Sequence, residues 1–199
     1  VDTKKWHTSL VRAATQRSVG LADFEIISQV GKGASGRVYL VRDRHTGEQL
    51  ALKVIEKLAV YENNDALRHA LDERLVLEMA TDHPFVLNLR YAFQTSRRLY
   101  LVTEYCVGGD LFDYLRKRGK PFRENQGRRI AAEILLALEH IHSLGVVYRD
   151  LKLENVLLDL DGHIRIADFG LSKLLGTPSK SKRIASVPAI RSQPPTQHG

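Results

Sequence analysis

Tyr148-Arg149-Asp150-Leu151-Lys152-Leu153-Glu154-Asn155 decides more about this chain than any other stretch. It fits H/Y-R-D-L-K-x-x-N at every fixed position, a combination too specific for a chance polar turn. The residue types suit one kind of chemistry. Asp150 is a carboxylate able to accept the proton of an attacking hydroxyl, and Asn155 can hold a metal ion. Lys152 lies close enough in sequence to neutralise charge on a phosphoryl group in transfer. The catalytic candidates are therefore Asp150, Lys152 and Asn155.

Downstream, Asp168-Phe169-Gly170 follows the strand-like Ile164–Ala167, eighteen residues after Asp150. Alone the triplet means little. In this order, Asp168 becomes the expected second Mg2+ ligand beside Asn155. Upstream, Gly31-Lys32-Gly33-Ala34-Ser35-Gly36-Arg37-Val38 fits G-x-G-x-x-G-x-V. Gly31, Gly33 and Gly36 let backbone N–H groups approach phosphate oxygens without Cβ obstruction, and Val38 can lie against an adenine ring. A flexible hairpin loop would need the same glycines. Strand-like residues on both sides argue against the dinucleotide version, which needs a helix after the loop. Lys53 sits in Ala51-Leu52-Lys53-Val54, where a lysine ordinarily points to solvent. The functional reading has its ammonium hold α- and β-phosphates while a helix carboxylate fixes its position. Glu73 is the candidate partner, but Glu62, Asp72 and Glu78 are also available, and spacing does not choose among them.

Around these motifs the pattern predicts an α+β order. Strand-like runs cover Phe24–Val30, Arg37–Arg42, Gln49–Ile55, Val86–Phe93 and Arg98–Thr103, with turns at His45–Glu48 and Gln94–Arg97. Leu67, Leu71, Leu75 and either Leu77 or Met79 recur at helical spacing, predicting a helix over Asp65–Ala80. Beyond Gly108-Gly109 the pattern turns helical. Asp110 caps a short helix to Lys117, and Glu124–Leu144 carries Ile130, Ile134, Leu138 and Ile141 along one face. Short strands Asn155–Leu158 and His163–Ile166 flank the turn Asp159–Gly162. His140 and His142 are two apart on a helix, where side chains diverge, which rejects them as a metal pair.

Composition removes several function classes. The chain has 199 residues, 30 Lys+Arg against 23 Asp+Glu, a formal charge of +7 and one cysteine. Cys106 has no intrachain partner, which favours a reducing compartment. No run approaches the ~18 apolar residues of a membrane span. Residues 1–23 hold a net +2 and residues 174–199 a net +4, leaving +1 on the body between. Basic tails around a nearly neutral body weaken a nucleic-acid reading.

Taken together, residues 24–173 resemble the protein-kinase fold from its glycine loop through D-F-G. The resemblance implies a bilobal architecture: a β-rich first lobe (24–103), a hinge (104–109) and a partial helical second lobe (110–173), after an extension over 1–23. The strings YRDLKLEN, DFGLSK, YAFQT, LALEHIHSLG and GGDLF resemble the AGC group of serine/threonine kinases, closest to the mitogen- and stress-activated and ribosomal-protein kinase branch. The resemblance makes Glu73 the partner of Lys53, Glu104–Cys106 the adenine-binding hinge and Thr103 the gatekeeper behind it. Val30 joins the glycine loop, Val38, Ala51 and Leu157 enclose the adenine, and Asp110 reaches the ribose. Leu77, Leu89, Tyr148 and Phe169 form an apolar spine. Cys106 reads as a hinge residue rather than a reactive thiol. The implied cofactors are ATP and Mg2+, with Asn155 and Asp168 on the metal. The implied partners are protein substrates with basic residues near Ser or Thr and an upstream kinase, with no nucleic acid and no membrane span, in the cytoplasm or alternatively the nucleus.

The resemblance stops soon after Leu174, about 150 residues into a family domain of roughly 250. No A-P-E segment follows, and Gly176-Thr177-Pro178 runs into Ser-Lys-Ser-Lys instead. The expectation is a fragment, with 174–199 the basic, Ser/Pro-rich start of an activation-loop insertion. Helix Glu124–Leu144 would then lack part of its packing partner. Ser186, in Arg183-Ile184-Ala185-Ser186-Val187, has the basic context of a phosphorylation site. The reading is a protein serine/threonine kinase. The alternative is a truncated kinase without catalysis that binds a nucleotide or a partner. A small-molecule phosphotransferase of kinase-like fold is disfavoured by Lys152 and the AGC-like strings.

Overall fold

A computed structural model describes residues 19–33, 36–57, 73–80 and 83–175. Its β-branched and aromatic runs form five strands: β1 (Phe24–Gly33), β2 (Gly36–Asp43), β3 (Gln49–Glu56), β4 (Leu89–Gln94) and β5 (Arg98–Glu104). They make one antiparallel sheet in the order β1-β2-β3-β5-β4. Alternation along β3 separates its two faces. Leu50 and Leu52 join Phe24, Val41, Phe93, Tyr100 and Val102 in a buried cluster. Each large apolar side chain so buried contributes about 1.5–3 kcal/mol. Ala51 and Lys53 fall on the opposite face, where the site is built. The turn between β2 and β3 is set by Asp43, whose Oδ1 accepts the N–H groups of His45 and Thr46 at 2.8 and 3.2 Å.

The helical residues 73–79 (α1) bury Val76 and Leu77. Sequence left Leu77 and Met79 open; Leu77 is the one in the core, 2% exposed.

The strand expected over Val86–Phe93 begins only at Leu89. Val86 instead forms an isolated parallel bridge with Ile166. Ile166 N–H donates to Phe85 O at 2.9 Å and Leu87 N–H to Ile166 O at 3.0 Å. These backbone groups are spent on the second half of the molecule, so they cannot also join β5. Val86 and Leu87 sit in the larger core with Ile141, Val146, Ile164, Ile166 and Phe169.

The second half holds β6 (Gly109–Asp110), α2 (Leu111–Arg118), α3 (Glu124–Ser143), β7 (Val146–Val147), β8 (Val156–Leu158), β9 (Ile164–Ile166) and β10 (Lys173–Leu174). Asp110 caps α2 as expected, accepting Asp113 N–H at 2.8 Å. Gly119 ends the helix in the left-handed region at φ 67°. In α3, Ile130, Ala137 and Ile141 face the core, while Leu135 and Leu136 are exposed. Asn155 and His163 lie just outside the strands expected to include them; Asn155 closes the 3-10 turn Leu153–Asn155. The two-residue strands β6, β7 and β10 are too short to show any periodicity in sequence. Ala34, Ser35, Glu62, Leu67, Leu71, Asp72, Gly176–Pro178, Ser186 and most of both basic tails (1–18 and 176–199) lie outside the described residues.

Candidate active site

The site opens on the sheet face that carries Lys53. Residues opposite one another on neighbouring strands share a face. Val38 lies across from Lys53, and Ala51 across from Thr103. Thr103 is buried and also opposes Leu89 on β4. Gly31 pairs with Val38, and the register slips beside it, leaving half-exposed Val30 at a bulge. Gly33 and Gly36 close the ladder. Gly36 has φ 143°, and a Cβ there would meet Val54 O at 2.2 Å. Glycine at 36 is thus required by the fold itself.

Lys53 does not point to solvent. Its Nζ donates to both carboxylate oxygens of Glu73, at 2.7 and 2.8 Å. Glu78, the other described candidate, pairs with Arg74. The side chains of Lys53 and Glu73 are 16% and 5% exposed. Removing either partner would strand a buried charge, at a cost of about 3–5 kcal/mol. Burial acts to depress the Lys53 ammonium, but Glu73 and then Asp168 outweigh it and hold it above its ordinary value. Burial pushes the Glu73 carboxyl up, against the pull of Lys53. Asp168 Oδ1 lies 3.8 Å from Lys53 Nζ.

Residues 148–155 form the opposite wall. Asp150 Oδ2 accepts from Lys152 Nζ at 2.7 Å and from Asn155 Nδ2 at 2.9 Å. Asn155 Nδ2 also donates to Asp150 O at 2.9 Å. The three catalytic candidates therefore meet. The bond from Lys152 is the largest effect on the Asp150 carboxyl; with that from Asn155 it outweighs desolvation and holds the carboxyl below its ordinary range. Tyr148 donates its hydroxyl to Ala167 O and packs edge-on against Phe169 at 5.3 Å. Ala167 N–H donates to Asn155 O at 2.9 Å. These bonds tie residues 148–155 to the residues immediately before Asp168. Leu77, Tyr148 and Phe169 are buried in one cluster, with Leu89 packed against it.

Residues 104–109 link the two walls. Gly108 N–H donates to Leu158 O at 3.0 Å, and a Cβ at Gly108 would lie 2.6 Å from Leu158 Cβ. Leu157, half-buried on β8, stands opposite Asp110. The Cys106 thiol is buried, and desolvation first, then Glu104, push it up to about 12, which leaves it unreactive.

Three features escaped the sequence. Among the described residues, Arg149 and Asp168 are the non-glycine residues with positive φ, 66° and 53°. Such backbone is costly and clusters at functional sites. Arg149 is held by a 2.7 Å bond from Nε to Leu171 O. Buried Glu133, on the apolar face of α3, accepts Ile164 N–H at 3.0 Å and bonds His163 Nδ1 at 2.7 Å. No periodicity rule would place a carboxylate there. Arg165 reaches Asp159 across the turn before β9 and Glu104, a position far away in sequence.

The donor set fits Mg2+ that is also held by phosphates. Asn155 commits its nitrogen to Asp150, leaving its oxygen as the end of ligand type, and the Asp168 carboxylate is 44% exposed beside Lys53. Among the described residues no cluster of three or more His, Cys, Asp or Glu could hold a metal by itself. One or two protein oxygens completed by substrate phosphates is how Mg2+ is ordinarily bound.

The model of the protein kinase domain family matches residues 24–190. The chain is 48% identical over 172 residues to a RAC family serine/threonine-protein kinase homolog of Dictyostelium discoideum, covering 85% of this chain and 38% of that one. It is 49% identical over 155 residues to RAC-beta serine/threonine-protein kinase of Rattus norvegicus, covering 78% and 32%. It is 42% identical over 183 residues to ribosomal protein S6 kinase alpha-4 of Homo sapiens, covering 90% and 24%. The chain belongs to the protein kinase family, in its AGC group of serine/threonine kinases. RAC relatives stand beside the ribosomal branch singled out by the sequence strings, and the chain spans about a quarter to two-fifths of the length of these relatives.

Proposed function

We propose that this chain forms the nucleotide-binding and phosphoryl-transfer site of an ATP-dependent protein serine/threonine kinase. The observation that carries the reading is the convergence of Asp150, Lys152 and Asn155 on one wall with the Lys53–Glu73 pair and Asp168 on the other. Lys53 holds the α- and β-phosphates under the glycine loop, and Val38, Ala51 and Leu157 enclose the adenine against residues 104–106. Mg2+ on Asn155 and Asp168 would neutralise phosphate charge. Asp150, kept ionised, accepts a hydrogen bond from the substrate hydroxyl and orients its oxygen toward the γ-phosphorus. As the new P–O bond forms and the bond to the β-phosphate oxygen breaks, the hydroxyl proton passes to Asp150 and ADP leaves. Lys152, bonded to the same carboxylate, carries positive charge to where negative charge accumulates.

Asp110 and exposed Glu154 favour substrates with basic residues near the acceptor hydroxyl. Ser186 is a candidate target of an upstream kinase. Among the described residues no helix is long and apolar enough to cross a membrane.

Asp150→Ala should lower phosphate transfer to a basic serine peptide by about 10²- to 10⁴-fold while changing nucleotide affinity little. Substantial turnover by the variant would remove Asp150 from its assigned role. Nucleotide binding by the wild-type protein without any transfer would favour a binding module instead.

A further inference from the structure

Arg165 has no role in the chemistry above, and the bland expectation for it is a solvated charge. Its neighbours on β9, Ile164 and Ile166, are fully buried, so alternation sends Arg165 to the other face. There it does not reach freely into water. Its Nε lies 3.3 Å from Glu104 Oε1 and its Nη2 3.1 Å from Asp159 Oδ2. Nη1 donates to Ile164 O at 3.1 Å. The three side chains are 19%, 25% and 19% exposed, well inside the range where screening is incomplete.

Each partner is itself anchored. Asp159 Oδ1 accepts Asp161 N–H at 3.0 Å and His163 N–H at 2.8 Å, which stiffens the turn before β9. Glu104 Oε1 accepts Asn88 N–H at 2.8 Å, and Glu104 N–H donates to Asn88 O at 3.1 Å. Asn88 directly follows the segment whose Leu87 N–H is bonded to Ile166 O. One carboxylate thus joins the segment 85–88, the start of the interlobe link and the strand that leads to Asp168. Arg165 also stands opposite Leu157 on β8, so it shares a face with the residue assigned to the adenine floor. Without Arg165, Glu104 and Asp159 would leave two negative charges close together with no guanidinium between them.

We propose that Arg165 is a positioning residue that, through Glu104, fixes the backbone of residues 104–106 against β9 and so sets affinity for the adenosine part of the nucleotide. The inference rests on the reading of 104–106 as the adenine-binding hinge. It acts on binding alone, because neither Arg165 nor Glu104 reaches Asp150, Asn155 or Lys53.

The test compares wild type, R165M, R165K, E104Q and R165M/E104Q in the intact protein. Adenosine affinity is measured by titration, KM for ATP and kcat with a basic peptide, and Tm by calorimetry. R165M should weaken adenosine binding and raise KM for ATP about three- to tenfold, with kcat altered less than twofold. R165K should recover part of the loss, and the double variant should be little worse than R165M, since both changes break one linkage. If R165M fails to fold, E104Q and R165K carry the same comparison, with intermediate losses expected of each. A lower Tm with unchanged adenosine affinity makes the cluster a plain structural brace and overturns the inference, as does full additivity in the double variant. Wild-type protein that binds no adenosine overturns the hinge reading and the inference with it.

Discussion

Lys152 is close to half exposed, yet its ammonium sits 2.7 Å from Asp150 Oδ2. Its effect there is electrostatic: the bond favours the ionised carboxylate and keeps Asp150 below its ordinary value of 3.8. Replacing Lys152 by Met removes the bond, so the Asp150 pKa rises. The acid limb of the kcat/KM profile should therefore move to higher pH, with kcat down about tenfold or more. An unmoved acid limb would show that Lys152 does not act through Asp150. At this scale the grouping of Asp150, Lys152 and Asn155 was legible in sequence, because they are close neighbours along the chain. Spacing alone did not choose Glu73; the family resemblance did, and Glu73 is the carboxylate that meets Lys53. Glu73 and Glu78 have the same chemistry, and only the direction of α1 sends the first to Lys53 and the second to Arg74.

Strands and turns impose their own demands on the same residues. Gly36 opens β2 at φ 143°, with its α-carbon crowded by the Val54 carbonyl of β3. A Cβ at that position would approach to 2.2 Å, so the start of the strand would have to move. Gly36→Ala should destabilise the fold by about 1–3 kcal/mol and raise KM for ATP, read by urea unfolding and by steady-state kinetics. A variant as stable as wild type would contradict this crowding. Most long strands followed their β-branched pattern to within a residue or two. The failure at Val86–Asn88 is informative: the residues look like the start of a strand, but their backbone groups go to Ile166 and Glu104. A β pattern says that a residue is buried in an extended run; it does not name the partner.

The two halves of the molecule are joined by one large core that runs from α1 through the 85–88 segment to α3 and β9. At its edge the His83 ring stacks on His140 of α3 at 4.6 Å, and His83 Nδ1 accepts Phe85 N–H at 3.2 Å. Desolvation first, then His140, lower the His83 pKa below its ordinary 6.5. The folded state therefore favours neutral His83. The stability linked to it is complete above about pH 6.5 and declines as pH falls through the lower folded value. Tm should drop over this range, and His83→Phe should reduce that dependence; an identical slope in both proteins would count against the histidine stack as its source. The family and the candidate phosphoryl-transfer residues could be read from the chain alone, since the motifs that carry them are local strings with fixed internal spacing. Folding in space was needed to carry Val86 across to β9, to bury Glu133 beneath β9 and to set Arg165 against Glu104. Those pairings join positions far apart in sequence, and what selects them is the packing of strands and helices against one another, for which a local pattern holds no record.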